Sequence, residues 1–166
     1  MADFDISFKR TFDRERGFVD PSPGYDGNDE TNDGIDERYH PDIEVEDLTF
    51  EEKRDIYYRH YWLRCNLVSV DSQEMADMIF DAAFHCGPAT SVILAQQAHN
   101  LLFPAAPLKT DGILGPKTAL ALNILARRYL PGYLNALIYC RVKYYLERLA
   151  AKPSKEPNRK GWLNRI

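Results

Sequence analysis

From Thr49 onward the chain is punctuated only by helix starts and stops, while residues 17–47 hold almost none, and this asymmetry constrains the fold more than any other feature. Thr49 and Glu52 form a capping box, Thr-x-x-Glu, ahead of a helix reaching to about Arg64. Asp71 or Ser72 caps the next helix, whose Met75, Met78, Ile79, Ala82 and Ala83 make an apolar face that stops at Gly87. A further helix runs from about Ala89 to Leu102 and is ended by Pro104. Pro116 and Pro131 stand where first-turn prolines belong, opening helices to about Tyr129 and Ala150, and Pro153 stops the last one. Near the start, Phe4, Phe8 and Phe12 recur at i, i+4 and predict a helix over Asp3–Arg16, with Gly17 as its C-cap. Residues 17–47 are rich in Asp, Gly, Pro and Asn and show no helical period; a loop that long in a compact domain is usually functional or disordered. Short strands fit there around Gly34–Tyr39. The expectation is a mainly α protein with one long acidic loop, carrying at most a short β-hairpin, after the first helix.

At 166 residues and 45 % hydrophobic content the chain is one domain's worth and can bury a core without covalent staples. Cys65, Cys86 and Cys140 are an odd number with no CxxC pair, so reduced thiols are expected rather than a disulfide framework or a four-thiolate zinc site. The N-terminal stretch has no apolar core of the signal-peptide kind and no later run reaches membrane length, so synthesis in a cytoplasm is expected. The net charge of −4 conceals a gradient: 15 acids and 5 bases in residues 1–50, 7 and 4 in residues 51–100, and 3 and 12 in residues 101–166. Such a basic C-terminal third suits an anionic polymer partner, or else forms a solvated face.

Glu15 lies seven residues after Phe8 and eleven after Phe4. At about 100° per residue those offsets bring it within roughly 20° of the Phe stripe. A carboxyl on an apolar face loses hydration, and the negative end of the helix dipole acts in the same direction; both raise its pKa. A carboxylic acid kept protonated near neutral pH is what protonation of a leaving-group oxygen requires. The competing reading is a helix-end Glu turned to solvent.

The stretch Glu15-Arg16-Gly17-Phe18-Val19-Asp20-Pro21, followed by Asp26 and by Thr31-Asn32-Asp33-Gly34-Ile35, resembles the opening of the glycoside hydrolase family 108 muramidases, phage endolysins and secretion-associated lysozymes. Ile56-Tyr57-Tyr58-Arg59-His60-Tyr61-Trp62 resembles that family's Tyr…Tyr-Trp helix, and Asp81-Ala82-Ala83-Phe84-His85-Cys86-Gly87-Pro88 its Asp-x-Ala-x-Asn-x-Gly helix end. Ala95-Gln96-Gln97-Ala98, Asp111-Gly112-Ile113-Leu114-Gly115-Pro116-Lys117-Thr118, Arg141…Tyr144-Tyr145 and Gly161-Trp162-Leu163-Asn164-Arg165 are similar to the peptidoglycan-binding-type C-terminal part found with it. The resemblance covers nearly the whole chain in the right order.

It implies a lysozyme-like helical fold, with residues 1–87 as the catalytic part and 88–166 as the peptidoglycan-binding-type part. By the same resemblance Glu15 is the general acid, Asp26 and Thr31 assist across the cleft, and Asn32, Tyr61, Trp62, His85 and Gln96 touch substrate. The implied reaction is hydrolysis of the β-1,4 bond between N-acetylmuramic acid and N-acetylglucosamine by a monomer acting on bacterial peptidoglycan, without metal or organic cofactor. The enzyme would reach the wall through a holin, lysis or a dedicated export route. The chain departs from the family pattern where Arg16 replaces a Gly, where Asn28 and Asp29 replace paired glycines, where the loop before Thr31 is about two residues longer, and where His85 stands in place of Asn. Asn and Asp tolerate left-handed backbone better than other residues, so the loop has another path open to it. A wall-binding protein of the same fold with weak or lost catalysis is the alternative these departures motivate.

Other constellations point elsewhere less well. Asp29, Thr31, Asp33, Gly34 and Glu37 fall at EF-hand-like offsets, but position twelve is His40 rather than Glu. His40, His60, His85 and His99 lack zinc-protease spacing. Cys86 follows His85 directly, and adjacent helical residues point about 100° apart, which prevents a thiolate–imidazole pair. Tyr57, Tyr58, Tyr61 and Trp62 sit at core spacing, with room for one aromatic to stack on a sugar, and Trp162 would pin the tail to the body. No nucleic-acid motif accompanies the basic residues.

Overall fold

The computed structural model describes residues 1–15, 18–19, 31–32, 35–36 and 47–151, with side chains left out for residues 14, 15, 18, 19, 31, 32 and 36. Helix α1 spans Phe4–Glu15, and three two-residue strands follow: β1 (Phe18–Val19), β2 (Thr31–Asn32) and β3 (Ile35–Asp36). They form one antiparallel ladder in the order β1-β2-β3, with Phe18 opposite Asn32, Val19 opposite Thr31, and Asn32 opposite Ile35. Helices α2 (Phe50–Tyr57), α3 (Gln73–Cys86), α4 (Pro88–Leu102) and α5 (Pro116–Ala151) make up the rest, and the fold is mainly helical and lysozyme-like.

The local signals act as their chemistry dictates. Thr49 accepts from the Glu52 amide while Glu52 reaches back to the Thr49 amide, closing the expected box. Of the two candidate caps on α3, Ser72 takes the Met75 amide, whereas Asp71 accepts from Arg127. Gly87, at φ +82, ends α3, and Pro88 opens α4 at once, a residue earlier than its spacing suggests.

Two boundaries differ from expectation. The second helix does not run as α-helix to Arg64: after Tyr57 it widens into a π-turn over Tyr58–Trp62, closed by the Leu63 amide on the Tyr58 carbonyl at 2.9 Å. The two helices expected around Pro131 are joined end to end as α5. They meet at Tyr129, whose φ −153 and ψ 40 leave the helical region, because Pro131 removes an amide donor and crowds the residues before it.

The Phe stripe of α1 is buried and sets how the first half packs. Phe4 meets Tyr58, Trp62 and Phe80; Phe8 meets Tyr57; Phe12 meets Phe50 and Tyr57. These pairs run α1 antiparallel to α2, and each Phe contributes about 1.5–3 kcal/mol through burial. On its other flank Asp3 bonds Gln73, while Ser7 and Arg10 both bond Asp77. Those contacts advance together along both helices, so α1 and α3 run in the same direction and end at the same end of the body. Among the described residues no helix is long and apolar enough to cross a membrane.

Candidate active site

Buried positions of α1 fall at 4, 7, 8, 11 and 12, a helical period that comes round next to position 15, the helix's last residue. The chain leaves Glu15 and enters β1 three residues later. Three residues span at most about 11 Å, and paired strands lie about 5 Å apart. The β1–β2 register sets Thr31 and Asn32 beside Val19 and Phe18, the first described residues after Glu15. Ile35 of β3 is buried in the core and anchors the far side of this ladder. Asp26, Arg16, Gly17, Asn28, Asp29, the EF-hand-like run apart from its strand residues, and Trp162 lie outside the described residues.

The end of α3 faces the same end of the body. Its Phe84 stacks on Tyr61, with ring centroids 4.1 Å apart and planes 15° from parallel, and Tyr61 keeps part of its surface exposed. His85 is partly exposed and meets the Tyr145 ring edge-on at 6.4 Å. Tyr145 accepts from Arg141 Nε at 2.8 Å, and Arg141 Nη2 donates to Asp81 Oδ2 at 2.5 Å. Burial alone would lower the Arg141 pKa, but Asp81 and Tyr145 outweigh it and hold the guanidinium more firmly charged than usual.

Two of the residues expected to touch substrate are buried. Trp62 is 1 % exposed between Phe4 and Phe80, so it packs the core and has no face left for a sugar. Gln96 is fully buried; its Nε2 donates to Asp111 Oδ1 at 3.0 Å and to the Ile113 carbonyl at 3.1 Å, and its Oε1 accepts the Gly112 amide at 3.1 Å. It braces the turn that precedes α5.

Cys86 is a packing residue, as its position beside Gly87 suggests. Its Sγ donates to the Ala82 carbonyl at 3.0 Å, and burial pushes its pKa up to about 12, far from a nucleophile's range. Among the described residues no three His, Cys, Asp or Glu side chains converge as metal ligands would.

The buried Asp81–Arg141 pair escaped the sequence reading of functional groups. Its signal is a lone acid set directly between Phe80 and Ala82 on the apolar face of α3, which demands a buried cation somewhere in the fold.

A helical body, with a short antiparallel ladder following its first helix in the chain, defines a lysozyme-like protein. Residues 8–87 match the model of the family described as Glycosyl hydrolase 108, and residues 90–166 match that of the family described as Predicted Peptidoglycan domain. The chain thus carries a segment matching glycosyl hydrolase 108, followed by one matching this peptidoglycan domain. Among solved structures it is similar to SagA of Brucella abortus, at 25 % identity and a TM-score of 0.77 over 98 % of this chain and 88 % of that one. No curated protein matches it.

Proposed function

We propose that this peptidoglycan-acting protein is a muramidase, cleaving the β-1,4 bond between N-acetylmuramic acid and N-acetylglucosamine with Glu15 as general acid. What supports the reading is positional: the buried period of α1 leads on to position 15, and the β1–β2 register pairs Thr31 and Asn32 with Val19 and Phe18, which follow within four residues of Glu15. A general acid for this bond must keep its proton near neutral pH to protonate the departing glycosidic oxygen, and that is the role assigned to Glu15. Asp26 and Thr31 would stand across the bond to position water or stabilise charge on the sugar. Asn32, the exposed part of Tyr61 and His85 are the remaining candidates for substrate contact. The protein would act as a monomer on the wall after release from the cytoplasm, in the manner of an endolysin or an exported lysozyme.

The test is digestion of purified Gram-negative sacculi by the wild type and by Glu15→Gln, with products read by mass spectrometry. Wild type should release muropeptides with new reducing N-acetylmuramic acid ends, and Glu15→Gln should lose about 10²–10⁴-fold of that rate. Binding of both proteins with no release by either would instead establish a wall-binding protein without catalysis.

A further inference from the structure

A groove of ≈ 590 Å³ lies between α4 and the second half of α5, within the range of about 300–1,000 Å³ typical of small-molecule sites. We propose that it binds the amino-sugar backbone of peptidoglycan, as a subsite separate from the cleavage point; this rests on the reading of the protein as peptidoglycan-acting. Every residue lining the groove falls within the segment matched to the peptidoglycan domain.

The lining combines apolar, aromatic and polar groups. Ile93 and Leu94 give it an apolar wall, and Tyr139, at 57 % exposed, presents an aromatic ring at its edge. The exposed Gln97 amide and the Lys143–Glu147 pair, 3.9 Å apart, supply donors and acceptors along the same stretch. A sugar ring has an apolar CH face that packs on an aromatic side chain, and an edge of hydroxyl and acetamido groups that hydrogen-bonds amides and charges. The stem peptides on muramic acid carry free carboxylates and amines, which Lys143 and Glu147 complement in sign. A nucleic acid would meet the Glu147 carboxylate unfavourably.

The groove also points the right way. Its Tyr144 accepts from Arg148 at 2.7 Å, and the adjoining Tyr145 packs on His85 at the end of α3. A glycan strand lying in the groove would thus run toward the end of the body where α1 and α3 terminate. A strand held there and cut at Glu15 would stay bound between cuts.

The experiment measures binding apart from cleavage. Full-length Glu15→Gln protein is pelleted with insoluble sacculi, alone and with Gln97→Ala and Tyr139→Ala added. Leu120→Ser, at an exposed α5 position away from the groove, serves as a control. The groove variant should bind about tenfold more weakly with unchanged melting temperature, and the control should match its parent. Soluble chitohexaose, which carries the acetamido sugars without stem peptides, should compete with the sacculi. Equal binding by parent and groove variant, no binding by the parent, or failure of chitohexaose to compete would each overturn the assignment. So would a change confined to self-association in sedimentation. If wild type releases no muropeptides while the groove variant still loses binding, the hydrolase reading falls and the groove stands.

Discussion

Arg141 on α5 donates to Asp81 on α3 across 2.5 Å with both side chains nearly sealed from water. The contact joins the hydrolase segment to the peptidoglycan segment inside one core, since Asp81 lies in residues 8–87 and Arg141 in residues 90–166. Removing one partner strands the other charge in a low-dielectric site, which typically costs about 3–5 kcal/mol. Arg141→Leu should therefore destabilise the whole chain by about that amount, and the double variant Arg141→Leu with Asp81→Leu should recover much of it. Urea unfolding followed by circular dichroism checks this. Both variants should keep one cooperative transition; separate transitions for the two segments would show that they do not share a core.

The buried thiols make stability depend on alkaline pH. Burial raises Cys65 to about 11, with the Ser91 hydrogen bond opposing, and raises Cys86 to about 12. In the unfolded chain both ionise near 9.0, so above that pH the unfolded state holds fewer protons than the native state. Their contribution is complete below about pH 9 and is lost as pH rises through the folded values. Each thiol should steepen the fall by about 1.4 kcal/mol per pH unit in that window. Denaturant titrations at pH 8, 9, 10 and 11 measure the slope, and replacing Cys86 by Ala should flatten it. Native protein at pH 8 should also react with a thiol reagent far more slowly than unfolded protein.

Gln96 should prove a structural brace. Its amide holds the Asp111 carboxylate below the usual range, helped by the Ile113 amide. A depressed carboxylate stabilises the fold above its ordinary pKa and loses that contribution as pH falls through the lowered value. Gln96→Ala should return Asp111 toward its ordinary pKa, visible in a carbon-detected NMR titration, and speed amide exchange at Gly112. Gly112 belongs to the same device: at φ +74, with its Cβ position 2.9 Å from the Ala89 carbonyl oxygen, it has no room for Ala. Gly112→Ala should be clearly destabilising. Gly132→Ala should cost much less, because the atoms in its way are the exposed ring of Tyr129, which can swing aside.

What the sequence makes legible here is whatever a local residue controls. Thr49 with Glu52, Ser72, Gly87, Pro116 and Pro131 act within a few residues of themselves, and each marks its boundary to within a residue or two. The Phe4, Phe8, Phe12 stripe likewise carries its own period. The π-turn at Tyr58–Trp62 and the β1–β2 ladder depend on partners far along the chain, so no local spacing announces them. For the site, spacing alone could place Glu15 at the end of the stripe, but whether a residue named by resemblance faces a sugar or the core depends on packing. Tyr61 and Trp62 are neighbours in sequence; one stacks on Phe84 at the surface and the other is enclosed by Phe4 and Phe80.

That difference is open to a direct measurement. Trp62 fills the junction of α1, the π-turn and α3 and is 1 % exposed. Trp62→Ala should cost about 3–5 kcal/mol by leaving a cavity among aromatic rings. Trp62→Phe keeps an aromatic in the junction and should recover most of the stability, together with whatever wall-lytic rate the wild type shows. A sugar-stacking Trp would behave otherwise: its Phe variant would fold normally and lose affinity for sacculi. Tyr61→Ala provides the contrast, since truncating a partly exposed ring should leave the melting temperature closer to wild type than Trp62→Ala does. Melting curves and sacculus digestion on the same three variants separate packing from recognition, and a Trp62→Phe protein that is fully stable but catalytically poor would return Trp62 to the cleft.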